Sequence, residues 1–173
     1  MLKQSLPFLI ICGVGEVFAG TIFGHMKDLF VSYPGLIVLI PAVIGMRGNI
    51  QTALGSRLSS AVHLGIIEPE NVLQNSVVHK NTYASLSLSI IMAFITAVVA
   101  YQSSKSAGIE TISFPSLVLI SVVSAAIASV FLIFITISVV VFSFSKGLDP
   151  DNVTAPILTT LGDTISIFCI YFN

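Results

Sequence analysis

Charged residues are scarce in this sequence. Only 9% of its 173 residues are Asp, Glu, Lys or Arg, whereas a soluble domain usually carries about 25%. Because so few charged side chains cannot solvate the surface of a globular protein of this length, lipid must cover most of the surface of the chain. A bilayer span needs roughly 20 apolar residues. The length therefore suffices for about five or six spans in one domain.

Enzyme motifs and soft-metal ligand clusters are also absent from the sequence. There is no nucleophile elbow, no phosphate-binding loop and no HExxH. The two cysteines, Cys12 and Cys169, lie in apolar runs and are interpreted as small buried hydrophobes. A net charge of −1 offers nothing to attract nucleic acid. We expect neither an enzyme, nor an organic cofactor, nor a nucleic-acid partner.

The apolar runs predict an all-α, polytopic membrane protein with five transmembrane helices. We expect one transmembrane domain over residues 1–173, with helices at about 6–24, 33–58, 83–101, 114–144 and 153–171. The positive-inside rule favours a cytoplasmic N-terminus and an outside C-terminus. In that orientation the inside holds Lys3, Arg57, Lys80 and Lys146, and the outside holds Lys27 and Lys105.

Asp163 is the most informative residue, because it lies in the middle of the fifth segment. A charge at the bilayer centre costs at least about 2.5–3.5 kcal/mol, so it is rarely kept without a use. On a helix, Asp163 shares a polar stripe with Asn152, Thr159 and Ser166, with Pro156 and Thr160 within two turns. Asp163 is interpreted as an ion-pathway residue, and the alternative is a protonated aspartate packed in the bundle.

The second segment is predicted to be irregular. Proline and glycine free backbone carbonyls, which at membrane depth must face protein or a water-filled cavity. The segment offers carbonyl and amide oxygens at Pro41, Gly45, Gly48, Asn49 and Gln51. Hard cations such as Mg²⁺ prefer oxygen ligands and keep several waters. Softer metals would call for clustered histidine or cysteine.

Glu16 is a possible second intramembrane acid. It could pair with Arg47 or Arg57, or it could face the ion path. Both arginines are expected at the cytoplasmic face, where long side chains snorkel toward water. Asp149 and Pro150 predict the start of the fifth helix, as N-cap and first helical residue.

Two stretches resemble signatures of a known family. IPAVIGMRGNIQTALGSRLSSAVHLG, at residues 40–65, resembles the second-helix signature of the MgtE and animal solute-carrier magnesium transporter superfamily. GLDPDNVTAPILTTLGDTISI, at residues 147–167, is similar to its fifth-helix signature. The resemblance implies a pore built from five-helix units with helices two and five at its centre. It assigns the pore carboxylate to Asp163, and the second-helix pattern to Pro41, Gly45, Gly48 and Asn49.

This sequence departs from the family pattern in two ways. The sequence starts almost at helix one, so we expect none of the cytoplasmic magnesium-sensing domains of bacterial members. It holds one five-helix unit where animal members hold two, so a homodimer is the implied pore.

We therefore expect a divalent cation (Mg²⁺) channel or transporter in the plasma (inner) membrane. Asp163 would hold the ion, and Asn49 with Thr159 or Thr160 would contact its water shell. Two alternatives remain open. One is a Na⁺- or H⁺-coupled exchanger in which Glu16 and Asp163 are separate sites. The other is a non-conducting subunit of a heteromeric membrane complex.

Overall fold

The computed structural model describes residues 2–68, 70–148 and 150–172, without the side chains of residues 2–5 and 150–152. Within these ranges the chain forms six α-helices and one short 3₁₀ helix, Val72–Gln74. The helices are α1 (Leu2–His25), α2 (Lys27–Ser32), α3 (Gly35–His63), α4 (Ser76–Ser106), α5 (Phe114–Ser145) and α6 (Pro150–Tyr171).

Five of the described helices are long and apolar enough to cross a membrane. The candidate spans are Leu6–His25, Gly35–His63, Ser76–Ser106, Phe114–Ser145 and Val153–Tyr171. This result confirms the predicted all-α architecture with five membrane-spanning helices. The three middle spans exceed the roughly 20 residues that a bilayer requires, so tilt or extension beyond the lipid must accommodate them.

Some helix boundaries differ from the sequence prediction. Helix α4 begins at Ser76, well before the predicted residue 83. The reason is a cap at Asn75, whose side chain accepts a hydrogen bond from the Val77 N–H at 2.9 Å. The same side chain donates to the Ile66 carbonyl at 2.8 Å and so fixes the preceding loop. The short helix α2 was not predicted.

Helix α3 is continuous, which differs from the expected irregular segment. It runs from Gly35 to His63 with Pro41 inside it. A proline removes one backbone hydrogen bond, but α3 packs against α4, α5 and α6 along its length. These contacts stabilise the helix despite the missing bond. Helix α6 begins at Pro150, as predicted, while Asp149 lies outside the described residues.

Helices α3 and α6 form the centre of the bundle. Helix α6 packs against α1, α3 and α5, whereas α1 contacts only α6 and the short α2 among the described helices. The core at one end joins Leu39, Ile40 and Val43 of α3 to Ile167 and Ile170 of α6. This arrangement places the middle of α6 between α1 and α3.

Helix α3 packs tightly against α6 at Gly55. A Cβ added there would lie 2.7 Å from Thr154 Cγ2 and 3.2 Å from Leu158 Cδ1. We expect Gly55→Ala to lower the free energy of unfolding by about 1–3 kcal/mol, because the methyl group overpacks the contact. Gly20→Ala is the control, since a Cβ there meets nothing within 4 Å. Denaturation in detergent micelles measures both, and equal losses would contradict the packing described.

Candidate ion site

Two carboxyl groups meet midway along the membrane-spanning helices. Asp163 on α6 is half-buried, and its carboxyl group lies close enough to that of Glu16 on α1 for the two to interact. The contact depends on the close packing of α1 against α6. Gly15 permits that packing, because a Cβ at this position would lie 2.5 Å from Thr160 Cγ2. The Thr160 hydroxyl also donates to the Cys12 carbonyl at 3.5 Å.

The acid pair lies at the surface of the chain. Glu16 is exposed and Asp163 is half-exposed, although both lie well inside candidate spans. An ionised side chain facing lipid tails at this depth costs at least about 2.5–3.5 kcal/mol. This part of the surface is therefore suited to water, an ion or another protein rather than to lipid.

The neighbouring surface of α3 carries small and polar residues. Between residues 41 and 56 the exposed positions of α3 are Pro41, Ala42, Gly45, Asn49, Ala53 and Ser56, and Arg57, Ser60 and His63 are exposed nearer its end. This row adjoins α6, since a Cβ at Gly48 would lie 3.8 Å from Thr159 Cγ2. The six positions from Pro41 to Ser56, together with Thr159, Asp163 and Glu16, are called the polar face below. The exposed residues of α5, such as Leu119, Val130, Phe131 and Phe134, are instead large and apolar.

Comparison with known proteins identifies the family of the chain. The family model of the MgtE divalent cation transporters matches residues 40–172. The chain belongs to the MgtE divalent cation transporter family. It is therefore an integral membrane transporter-family protein and not an enzyme, and the resemblance seen in the sequence is confirmed.

Curated relatives of this MgtE-family chain include animal solute carriers. Solute carrier family 41 member 2 of Gallus gallus is 32% identical over 177 residues, which cover 96% of this chain and 29% of the relative. The Homo sapiens protein of that name is also 32% identical, over 174 residues. Solute carrier family 41 member 3 of Mus musculus is 28% identical over 170 residues, 94% of this chain and 34% of the relative. The chain thus spans about a third of these relatives' length.

The remaining predicted site residues lie in different environments. Thr159 is exposed on the polar face, and its hydroxyl donates to the Ala155 carbonyl at 2.8 Å. Thr160 is buried against α1. Gln51 is buried inside the bundle, where it accepts a hydrogen bond from Thr136 at 3.1 Å. Of the two threonines, Thr159 alone is accessible from the polar face.

The other predicted residues of α6 are Ser166, Pro156 and Asn152. Ser166 is fully buried, and its hydroxyl has no hydrogen-bond partner. Pro156 is half-buried within α6. The side chain of Asn152 lies outside those that the structure describes. The predicted stripe of α6 is therefore divided between the polar face and the bundle interior.

The prediction that Arg47 lies at the cytoplasmic face is wrong. Only 1% of Arg47 is exposed, and no guanidinium nitrogen has a hydrogen-bond partner. Pairing of Glu16 with Arg47 is thereby also contradicted. The residue is near the middle of α3, so its side chain cannot extend to the end of the span. A helical projection would have revealed this burial, because Val43, Ile50 and Leu54 on the same face are buried.

The described part of the chain holds no group of three or more His, Cys, Asp or Glu side chains arranged around a potential metal position. At the polar face, one chain can therefore offer an ion two kinds of ligand. These are the carboxyl groups of Glu16 and Asp163 and neutral oxygens such as those of Asn49 and Thr159. This donor set consists of oxygen atoms, which hard divalent cations prefer.

Proposed function

We propose that the chain carries Mg²⁺ across the plasma (inner) membrane, and that the ion passes along the polar face. The observation that carries this proposal is the pair of carboxyl groups, exposed Glu16 and half-exposed Asp163, well inside the candidate spans of a divalent cation transporter family chain. Intramembrane acids commonly mark ion pathways because their desolvation is costly.

In this proposal Asp163 holds the ion electrostatically. Mg²⁺ dehydrates reluctantly and binds one or two carboxylates while keeping several waters. Asn49 and Thr159, which are exposed on the same polar face as Asp163, would contact those waters. Thr160 is turned toward α1 and is assigned a packing role instead. Exposed Gly45 leaves room at the surface of α3 where the hydrated ion would pass, and buried Gly48 lets α3 lie against Thr159 of α6.

A second copy of the chain is proposed to cover the polar face. Small residues on an exposed helix surface favour close contact between membrane helices, and an exposed Glu16 is disfavoured in lipid. Closed twofold symmetry would bring two copies of Asp163 near one axis. Carboxylates held close together repel one another, so a bound cation would stabilise them. The charge distribution of the loops supports a cytoplasmic N-terminus and an outside C-terminus.

Glu16→Gln is expected to weaken Mg²⁺ binding without abolishing transport. The amide keeps the shape of the side chain but removes one of the two negative charges next to the ion. We expect the KM for Mg²⁺ uptake to rise about tenfold, since a hydrogen-bonded partner of a metal ligand usually contributes about 10–100-fold in affinity. The control is Glu110→Gln, which alters an exposed carboxylate in the loop between α4 and α5. Equal KM values for the two variants would remove Glu16 from the site.

The test of the proposed function is Mg²⁺ uptake by the purified chain in proteoliposomes, compared with empty liposomes. Uptake driven by the Mg²⁺ gradient and the membrane potential alone would support a channel or uniporter. Uptake that requires a Na⁺ or pH gradient would support the exchanger. No uptake under any of these gradients would overturn the proposal and favour a subunit that needs a different partner chain.

A further inference from the structure

Arg47 carries a buried positive charge that the ion site described above does not explain. Its side chain is 1% exposed, and none of its three guanidinium nitrogens has a hydrogen-bond partner. Buried charges in proteins are normally paired, because desolvation of a lone ion is costly. The charge of Arg47 must therefore be balanced from a distance.

The position of Arg47 relates it to the acid pair. Its chain neighbour Gly48 lies against Thr159 of α6, and its guanidinium lies in the neighbourhood of Cys169, also on α6. These two α6 positions bracket Asp163. At about 1.5 Å of rise per residue, Asp163 is roughly 9 Å from Cys169 along the helix axis. The buried guanidinium is thus on the inner side of α6, and the helix rise puts it on the order of 10 Å from the half-buried Asp163 carboxyl group.

The charges in the central part of the described spans are Glu16, Asp163 and Arg47. With both acids ionised around a cation, the three side chains carry one net negative charge per chain. Two chains carry two such charges, which is the charge that one divalent cation neutralises.

We propose that Arg47 is a charge-balancing residue that tunes the site to release a single divalent cation. This inference rests on the proposed function and on the pairing of two chains. Arg47 does not contact the ion. Its positive charge acts through α6 and lowers the affinity of the carboxylates for the ion, so that the ion leaves fast enough for transport. Conduction requires binding that permits entry as well as release.

The size of the effect follows from the separation. A unit charge about 10 Å from a divalent ion, at an effective dielectric constant near 20, alters the affinity by roughly two orders of magnitude. Water in the pathway reduces this value, so we expect a change of at least about tenfold. The predicted direction is unusual for a mutation at a buried residue, because removal of the charge should tighten binding.

The experiment measures Mg²⁺ uptake by the full chain in proteoliposomes. Arg47→Gln should lower the KM at least about tenfold and lower the maximal rate in parallel, because release becomes slow. Arg47→Lys keeps the charge and should preserve both values within a few fold. Lys105→Gln removes an exposed positive charge from the last turn of α4 and should change neither value. A purely structural role would reduce the amount of folded protein without lowering the KM.

A second variant keeps the test decisive if Arg47→Gln does not fold. Gln51 is buried one helical turn beyond Arg47, where side chains four residues apart meet. Gln51→Glu would place a carboxylate beside the guanidinium and neutralise its charge without removing it. It should lower the KM and the maximal rate in the same direction as Arg47→Gln.

A wild-type KM in folded Arg47→Gln or Gln51→Glu would overturn this inference, as would an equal fall of the KM in Arg47→Lys. These failures differ from a failure of the proposed function. If Asp163→Asn retained full uptake, the ion site itself would be wrong. If Asp163→Asn lost uptake while Arg47→Gln kept a wild-type KM, the site would stand and the role of Arg47 would fall.

Discussion

Asp163→Asn is expected to reduce Mg²⁺ uptake at least about 100-fold. The variant keeps the size of the side chain but removes the charge that holds the ion. Partners that only support a metal ligand already contribute about 10–100-fold, so loss of the ligand's own charge should exceed that range. Uptake into proteoliposomes at saturating Mg²⁺ measures the effect.

The control for this prediction is Asp28→Asn. Asp28 is an exposed aspartate on the short helix α2, so its substitution makes the same chemical change away from the polar face. We expect near wild-type uptake from Asp28→Asn. Comparable uptake by Asp163→Asn and Asp28→Asn, with both proteins folded, would refute the placement of the ion at Asp163.

Gly45→Phe is expected to separate the proposed dimer and to abolish uptake. A Cβ at Gly45 meets nothing within 4 Å in the single chain, so the substitution should leave its fold intact. The ring would instead project from the polar face into the space that a second copy is proposed to occupy. Small residues at such contacts let helix backbones approach closely, and a phenyl group prevents this approach. Cross-linking in liposomes and parallel uptake assays measure the two consequences.

Val130→Phe provides the matched control for this bulky substitution. Val130 is 60% exposed on α5, among large apolar side chains that suit lipid. We expect Val130→Phe to remain dimeric and active. If Gly45→Phe were as dimeric and active as Val130→Phe, the polar face would not be the contact between chains.

The membrane-spanning architecture was predictable from the sequence, because hydropathy over about 20 residues is a strong and local signal. The ends of the helices were less predictable. The early start of α4 depends on the cap by Asn75, whose side chain also bonds to the carbonyl of Ile66 nine residues earlier. That bond is a property of the folded loop, and local polarity instead suggested a longer connection.

The candidate site was predictable only in part. Asp163 was identified from its sequence position, because an acid in an apolar run is conspicuous. Its contact with Glu16 depends on the packing of α1 against α6, which hydropathy does not specify. The charge of Arg47 favours the membrane surface, whereas its helical position favours the bundle interior. Its neighbours on α3 place it on the buried face of that helix.

The most direct test of the central claim is the water accessibility of the polar face. In a background with Cys12 and Cys169 replaced, Asn49→Cys and Val130→Cys would be exposed to a membrane-impermeant thiol reagent in proteoliposomes. We predict that Asn49→Cys reacts and that Mg²⁺ slows its reaction, whereas Val130→Cys, which faces lipid, does not react. Asn49→Cys that is as unreactive as Val130→Cys, or that reacts equally fast with and without Mg²⁺, would contradict an ion path along this face.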